Sequence, residues 1–521
     1  VEMCRLHRRL ALPTRTSVRA MRLVGLLGLL ALVSCASLPT DFQRPPEQTA
    51  QAAAETGLLA ATARAVTDSQ GPGQSGFWLL DKNADAFSWR LALVDSAVSS
   101  LDLMYYLWYG HDSGRLLLKR LIQAADRGVE VRLLIDDLLL IGDDKALVAL
   151  DKHPRIELRL FNPKQQRKAG MVMDFLGRFK QMNSRLHNKL IVADNHAVIL
   201  GGRNIGDYYF GLSSSYNFHD LDVLGFGPVA RQSSELFDHF WNSEWVVPAS
   251  ALPVRIDAQE IAVRRTTLIE DLQSAQSIQN FGTEPQDWAA TFEDLAPRLQ
   301  IGSSEVIFDR LEGGELVEGM RDPLGNMFRS AEKDIQIVNA YIIPDQDFVD
   351  GLSQITQKGV EVRILTNSLA SHDVPAVNSH YKKWRKPLIE AGAELYEFRA
   401  DPAIKTRVDT APVVSKFSGL HTKAHVIDGH VVFIGSMNFD PRSADINTEM
   451  GIIIDSPELG REMLRLAERD MSPQNAWQVK LGDEGKLVWV NSDETVTRQP
   501  ARNAWQRFMD MVFMVLPKTQ L

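Results

Sequence analysis

The feature that most constrains this 521-residue chain is a folding unit written into it twice. The segment AADRGVEVRLLIDD (Ala124 to Asp137) is echoed by ITQKGVEVRILTNS (Ile355 to Ser368), and RLHNKLIVAD (Arg185 to Asp194) by GLHTKAHVID (Gly419 to Asp428). Gly359 follows Gly128 by 231 residues and His421 follows His187 by 234. Two landmarks displaced by nearly the same distance mark one unit used twice. Each GVEVR segment reads as a helix end, a glycine cap and a buried strand. The apolar runs LDLMYYLWY and IQIVNAYII place a further strand ahead of it, and this alternation of strands and helices predicts an α/β fold with helix-covered sheets. Residues 76–250 then hold the first half and 331–500 the second, with the polar, turn-rich stretch 251–330 connecting them.

The second repeated segment carries the chemistry. Each copy reads as strand, turn, strand, because Asp194-Asn195 and Asp428-Gly429 are tight-turn pairs between apolar runs. The returning strands end at Gly201-Gly202-Arg203-Asn204 and Gly435-Ser436-Met437-Asn438. Residues two apart share a strand face, so His187 projects with Lys189 and His421 with Lys423. Asn204 and Asn438 can come back beside them. Two such sets facing each other supply imidazoles, ammonium groups and amides in pairs, an inventory that suits a phosphodiester. One histidine attacks phosphorus and forms a phosphohistidine. The other protonates the departing alkoxide. The lysines and asparagines hold the non-bridging oxygens, so the scheme needs no metal or other cofactor. Asp194 and Asp428 fall off the His–Lys face by parity and brace the hairpins. The bland alternative, core histidines with snorkelling lysines, fits one copy far better than two matched ones.

HxKx4D followed by GGxN or GSxN, present twice, resembles the signature of the phospholipase D superfamily. The stretches GGRNIGDYYFG, FHDLDVLGFGP, YKKWRKPLIEAGAELYE and IGSMNFDPRSADINTEMG are similar to the bacterial cardiolipin synthase C group. The resemblance implies a duplicated phospholipase D fold: two mixed-sheet halves flanked by helices, related by a pseudo-twofold, with one shared cleft. It carries over His187, Lys189, Asp194, His421, Lys423 and Asp428 as the catalytic motif set, with His187 as nucleophile and His421 as general acid. It also implies an acid on each imidazole. Glu449 in NTEMGI and Asp220 in FHDLDV match those positions, and Asp222 competes with Asp220. The implied activity is transfer of a phosphatidyl group to phosphatidylglycerol or a related alcohol, with phosphatidylethanolamine a further candidate substrate. The same site with water as acceptor is a phospholipase D, and a nuclease is the third alternative. A net charge of −9 supplies no global basic field for nucleic acid. Any protein partner is left open.

The beginning of the chain has a different composition. The run LVGLLGLLALVS after Met21-Arg22 has 12 residues, whereas a bilayer core takes about 20. Residues 1–34 therefore read as a signal peptide, with Met21 an alternative start. Leu32-Val33-Ser34-Cys35 resembles the bacterial lipoprotein signal, which implies lipidation at Cys35. Residues 35–75 then tether the catalytic halves to a membrane of the bacterial envelope, inner or outer, on its periplasmic side. Cys4 and Cys35 are the only cysteines, so no cysteine-based metal cluster can form. Two segments mix basic and apolar residues, Lys164 to Arg185 and the WQRFMDMVFMVLP of residues 501–521; each is either an interfacial segment or an ordinary helix. Tyr208, Tyr209, Tyr381 and Trp384 either line a lipid channel or pack in the core. His425 reads as strand packing.

Overall fold

The computed structural model describes residues 42, 44–140, 143–164 and 183–515. The signal segment, Cys35 and most of Lys164 to Arg185 lie outside the described residues. The first half contains β1 (Ser75–Leu80), β2 (Ser100–Tyr105), β3 (Glu130–Asp136), β4 (Ile156–Phe161), β5 (Lys189–Ala193), β6 (Ala197–Gly201), β7 (Tyr216–His219), β8 (Asp222–Phe226) and β9 (Val246–Pro248). All but β7 join one sheet in the order β1-β8-β6-β5-β2-β3-β4-β9.

Next come β10 (Gln300–Phe308) and the hairpin of β11 (Arg310–Glu312) and β12 (Glu315–Val317). The second half adds β13 (Asp334–Asn339), β14 (Glu361–Asn367), β15 (Glu394–Phe398), β16 (Phe417–Leu420), β17 (Lys423–Ile427), β18 (Val431–Gly435), β19 (Met450–Asp455) and β20 (Ala476–Leu481). Its sheet, β10-β19-β18-β17-β13-β14-β15-β20, reproduces the first strand for strand. In each half three strands run parallel (β2, β3, β4 and β13, β14, β15). Parallel neighbours need a crossover, which helices Asp112–Asp126 and Gln346–Thr356 supply. Gly128 and Gly359 follow those helices at φ +105° and +91°, a region that favours glycine.

Strand periodicity divides each sheet between two cores. Leu190, Val192, Val198 and Leu200 of one half pack with Ala424, Val426, Val432 and Ile434 of the other in a single buried cluster. The intervening Ile191 and Ala193 turn to a helix-covered core with Leu116, Leu117 and Leu121. Ile427 and Phe433 do the same against Val349 and Leu352. The sheets thus face each other. His425 is buried on the helix side of its strand, stacked between Phe433 and Phe439 with ring centroids 5.3 and 5.0 Å away.

Two sequence expectations need amending. The stretch 251–330 is more than a connection, because Gln300 to Gly302 pair with β1 while Ser303 to Phe308 pair with β19, joining the two sheets edge to edge. Its helices also bury Leu272, Phe292 and Leu295 in the first core. The expected tether at 35–75 is likewise no free tether over its described part. Gln48 bonds Asn242, Glu157 and Trp241, and helix Leu58–Gln70 buries Leu59, Ala63 and Val66. An Ala-rich, polar composition concealed an amphipathic helix.

The hairpin turns are built as their residues require. Asp194 and Asn195 sit at φ +53° and +54°, and Asp428 and Gly429 at +50° and +68°, the left-handed geometry of a two-residue hairpin. The Asp194 carboxylate accepts from the backbone N–H of Val98, Ser99 and Ser100 at 2.8–3.1 Å. Asp428 does the same for Glu332, Lys333 and Asp334 at 2.7–3.0 Å. Each aspartate splices its hairpin to the start of the neighbouring strand. Asp194 is fully buried, so Asp194→Ala strands its donors and should lower stability by about 2 kcal/mol or more. Thermal unfolding of Asp194→Ala and the half-exposed Asp428→Ala should show the larger loss in the former. Equal midpoints to the parent protein would remove the bracing role.

Candidate active site

A cavity of about 320 Å³ lies between the halves, lined by Tyr106, His187, Asn204 and Tyr209 from one and by Tyr341, Asp373, His421, Asn438 and Arg442 from the other. It sits where β2 and β13 end, at the carboxyl ends of the parallel strands, where open α/β sheets bind ligands. Backbone pairing across the halves fixes the histidines. β7 and β16 run parallel, and His421 N donates to His219 O at 2.8 Å, which sets Asp220 beside His421. On the other side a bridge joins Leu186 to Thr448, and His187 N donates to Thr448 O at 3.1 Å, which sets Glu449 beside His187.

The result is a crossed pair. His187 Nδ1 lies 2.8 Å from Glu449 Oε2 of the opposite half, and His421 Nδ1 lies 2.7 Å from Asp220 Oδ2. With Nδ1 engaged, Nε2 is the nitrogen each ring offers to the cavity. Asp222 is engaged elsewhere, bonded to the buried guanidiniums of Arg90 at 2.8 Å and Arg203 at 3.1 Å. The two return turns differ to suit their acids. A Cβ on Gly202 would sit 2.4 Å from Asp220 Oδ1. Its counterpart Ser436 instead donates its hydroxyl to Glu449 Oε2.

Lys189 and Lys423 are buried, and each donates to the carbonyl of its own motif histidine. Each ammonium also lies 5.4 Å from a ring centroid, of Tyr106 and Tyr341 respectively. The same tyrosines meet the histidines edge-on, with centroids 5.1 and 6.1 Å apart. Asn204 accepts from Leu107 N at 3.1 Å and donates to Tyr209 Oη at 3.0 Å. The amide oxygen of Asn438 is buried without a partner, a position that a ligand or water would satisfy. Asp194 and Asp428 do not line the cavity; they hold the far ends of β5 and β17.

The two imidazoles occupy unequal fields. Burial lowers His187 well below the ordinary histidine value, and Lys189, Lys423 and His421 lower it further. Its acid, Glu449, is pushed well up by burial, and the nearby Asp309 adds to the rise. Burial lowers His421 too, with Lys423 adding, but Asp220 pulls the other way. Asp220 itself stays ionised despite burial, held well below the carboxylate range by His421, Lys423 and Arg203. Burial also lowers Lys423, to about 8, and Lys189 well below its usual value. An entering phosphate would raise both again.

The sequence reading missed Tyr106, Tyr341, Asp373 and Arg442. Tyr341 follows Tyr106 by 235 residues, one off the histidine spacing, so the duplication held a signal for both. Of the four singled-out aromatics, Tyr208 and Tyr209 line the cavity. Tyr381 is buried against Glu397 and Arg385 instead, and Trp384 packs on the second core.

The family described as cardiolipin synthase, PLD-like domain, matches residues 91–241 and 324–471, one match on each half. The chain belongs to that phospholipase D-like family. It is 36% identical to cardiolipin synthase C of Escherichia coli (strain K12), over 86% of this chain and 96% of that protein. It is 31% identical to an uncharacterized protein of Helicobacter pylori (strain ATCC 700392 / 26695), over 87% of this chain and 90% of the relative. The crystal structure of phosphatidylserine synthase from Haemophilus influenzae Rd KW20 shares the fold, with TM-score 0.53 and 15% identity over 79% of this chain and 91% of that one. For a phospholipase D-like site the unequal fields have a kinetic consequence. Asp220 raises the His421 pKa, so Asp220→Asn removes that support and the ring loses its proton at lower pH. Where that proton is the one delivered in turnover, the alkaline limb of the kcat profile should move to lower pH, with kcat down about 10²-fold. Glu449→Gln should leave that limb in place. A pH–rate series in which both variants move it alike would overturn the distinction.

Proposed function

We propose that this protein is a membrane-associated phosphatidyltransferase of the cardiolipin synthase type. The observation that carries the reading is a single cavity holding two imidazoles, each engaged at Nδ1 by an acid of the opposite half. Family membership and the extent of the match to the E. coli cardiolipin synthase support it.

In this reading His187 Nε2 attacks the phosphorus of a donor phospholipid. A P–N bond forms, the P–O bond to the headgroup alcohol breaks, and the departing oxygen takes its electron pair together with a proton from His421. His187 suits the first role because its surroundings keep the ring neutral. His421 suits the second because Asp220, an anion, opposes the loss of its proton that burial and Lys423 favour. Lys189, Lys423, Asn204 and Asn438 stabilise the non-bridging oxygens. In the second step the hydroxyl of phosphatidylglycerol or a related alcohol gives its proton to the now neutral His421. Its oxygen attacks phosphorus, the P–N bond breaks, and both rings return to their starting states. Water in place of that alcohol gives a phospholipase D.

Purified protein incubated with defined phospholipids should yield cardiolipin by mass spectrometry; phosphatidic acid alone would establish the hydrolase. With an activated donor, His421→Ala should accumulate phosphatidyl-protein, whereas His187→Ala should not. Label on His421 in the His187→Ala protein would reverse the assignment.

The enzyme sits at the bacterial envelope, held by an acyl anchor at Cys35 and facing the periplasm, a location that the LVGLLGLLALVSC stretch supports. Cys35→Ser should leave either an unprocessed precursor or a cleaved protein that a salt wash releases. Tight retention of a correctly cleaved variant would sink the lipoprotein reading.

A further inference from the structure

The C-terminal helix Ala504–Val512 is amphipathic the wrong way round for a helix on a protein surface. Its polar side faces inward: Gln506 is 5% exposed and Asp510 is 2%. Gln506 donates to Leu369 O, while Asp510 accepts from Asn378 Nδ2 at 2.6 Å and pairs with Lys382 at 2.8 Å. Its apolar side faces out, with Trp505 at 66%, Phe508 at 47% and Met511 at 58% exposure. Val512, Met514 and Val515 continue the exposed face. Among the described residues most large exposed apolar side chains are gathered on this helix and the turn after it. A contiguous apolar patch of this kind marks an interaction site, and the buried bonds beneath it fix which way it points.

Two further observations choose the partner. The helix packs on helix Pro375–Tyr381, whose Val377, with the adjoining Val374, lines the catalytic cavity. The exposed Val414 is three residues from Phe417, which stacks on the cavity-lining Tyr216 and lies under Arg502, 3.7 Å from its guanidinium. Apolar side chains therefore flank the cavity. On and beside the helix, Arg498, Arg502 and Arg507 line one groove of about 670 Å³ together with Asp401 and Glu494, a cationic excess although the chain as a whole carries −9. Apolar projections with a tryptophan among them, next to clustered arginines, suit an anionic lipid surface.

We propose that the outer face of helix Ala504–Val512, with these arginines, docks the protein on an anionic phospholipid bilayer and sets the cavity against the lipid. That lipid then enters the cavity rests on the phosphatidyltransferase reading; the docking does not. The test uses full-length protein with Cys4→Ser and Cys35→Ser, carrying an environment-sensitive fluorophore at Met511→Cys or, as comparison, at the exposed Val263→Cys. On phosphatidylglycerol vesicles the label at 511 should shift to the blue and be quenched by lipid-borne nitroxide, while the label at 263 should not. Phosphatidylcholine vesicles should give a weaker shift, and Arg498→Gln with Arg507→Gln should abolish the difference between the two lipids. Phe508→Ser with Met511→Ser should cut turnover on vesicles about tenfold or more. Its turnover of short-chain phosphatidylglycerol below the micellar concentration should match the parent protein. An unshifted label at 511 overturns the proposal. So does a label already blue before lipid is added in a protein that scatters light as a dimer, since the face is then covered by a second copy. A shifted label in a protein that transfers no phosphatidyl group upholds the docking and removes the catalytic reading.

Discussion

Everything in the site depends on two hydrogen bonds that cross the molecule, Glu449 to His187 and Asp220 to His421. Neither motif histidine finds its acid in its own half, so an isolated half would have that histidine without its acid. The pairs are buried, where a lone ionised group costs several kcal/mol. They stand because the backbone on both sides is locked by interstrand bonds, β7 with β16 and Leu186 with Thr448. The shared apolar core behind them holds the two sheets in register. Packing, pairing and chemistry are therefore one constraint: the duplication must close on itself before it can react.

The repeat and the motif hairpins were legible because strand periodicity and turn chemistry are local properties. Asp-Asn and Asp-Gly between apolar runs leave few other conformations for those residues. Parity placed Asp194 and Asp428 away from the histidines, and the structure has them on the backbone of the preceding strand. The crossing of the acids was not legible, because residue type at Glu449 and Asp220 says nothing about which half each one faces. The choice between Asp220 and Asp222 depended on Arg90, 132 residues before Asp222 in the chain. The helix Leu58–Gln70 was missed because alanines give a weak periodic signal. The inverted face of Ala504–Val512 could not be told from a core helix, since amphipathicity fixes two faces but not which one turns inward.

Duplication would by itself give two equal histidines, but the proposed reaction needs an unequal pair. The inequality traces to residues that differ between otherwise matching turns. Where the first turn has Gly202-Arg203, the second has Ser436-Met437. The Arg203 guanidinium is fully buried and donates to the Asp220 carbonyl, adding to the positive field that keeps the Asp220 carboxylate ionised. Met437 brings no charge to Glu449. That acid takes a neutral donor from Ser436 and has Asp309 close by, its own carboxyl raised to about 6 by burial. Asp309 also accepts from Glu449 N at 2.9 Å, so a second carboxyl is tied to the turn that needs fewer charges. Coulomb terms are stronger in such a dry site than in water, so a buried arginine in one turn and none in the other adds to the difference between the two acids. The two acids therefore sit in unequal fields: at Asp220 the Arg203 charge adds to those of His421 and Lys423, and at Glu449 Asp309 opposes Lys189.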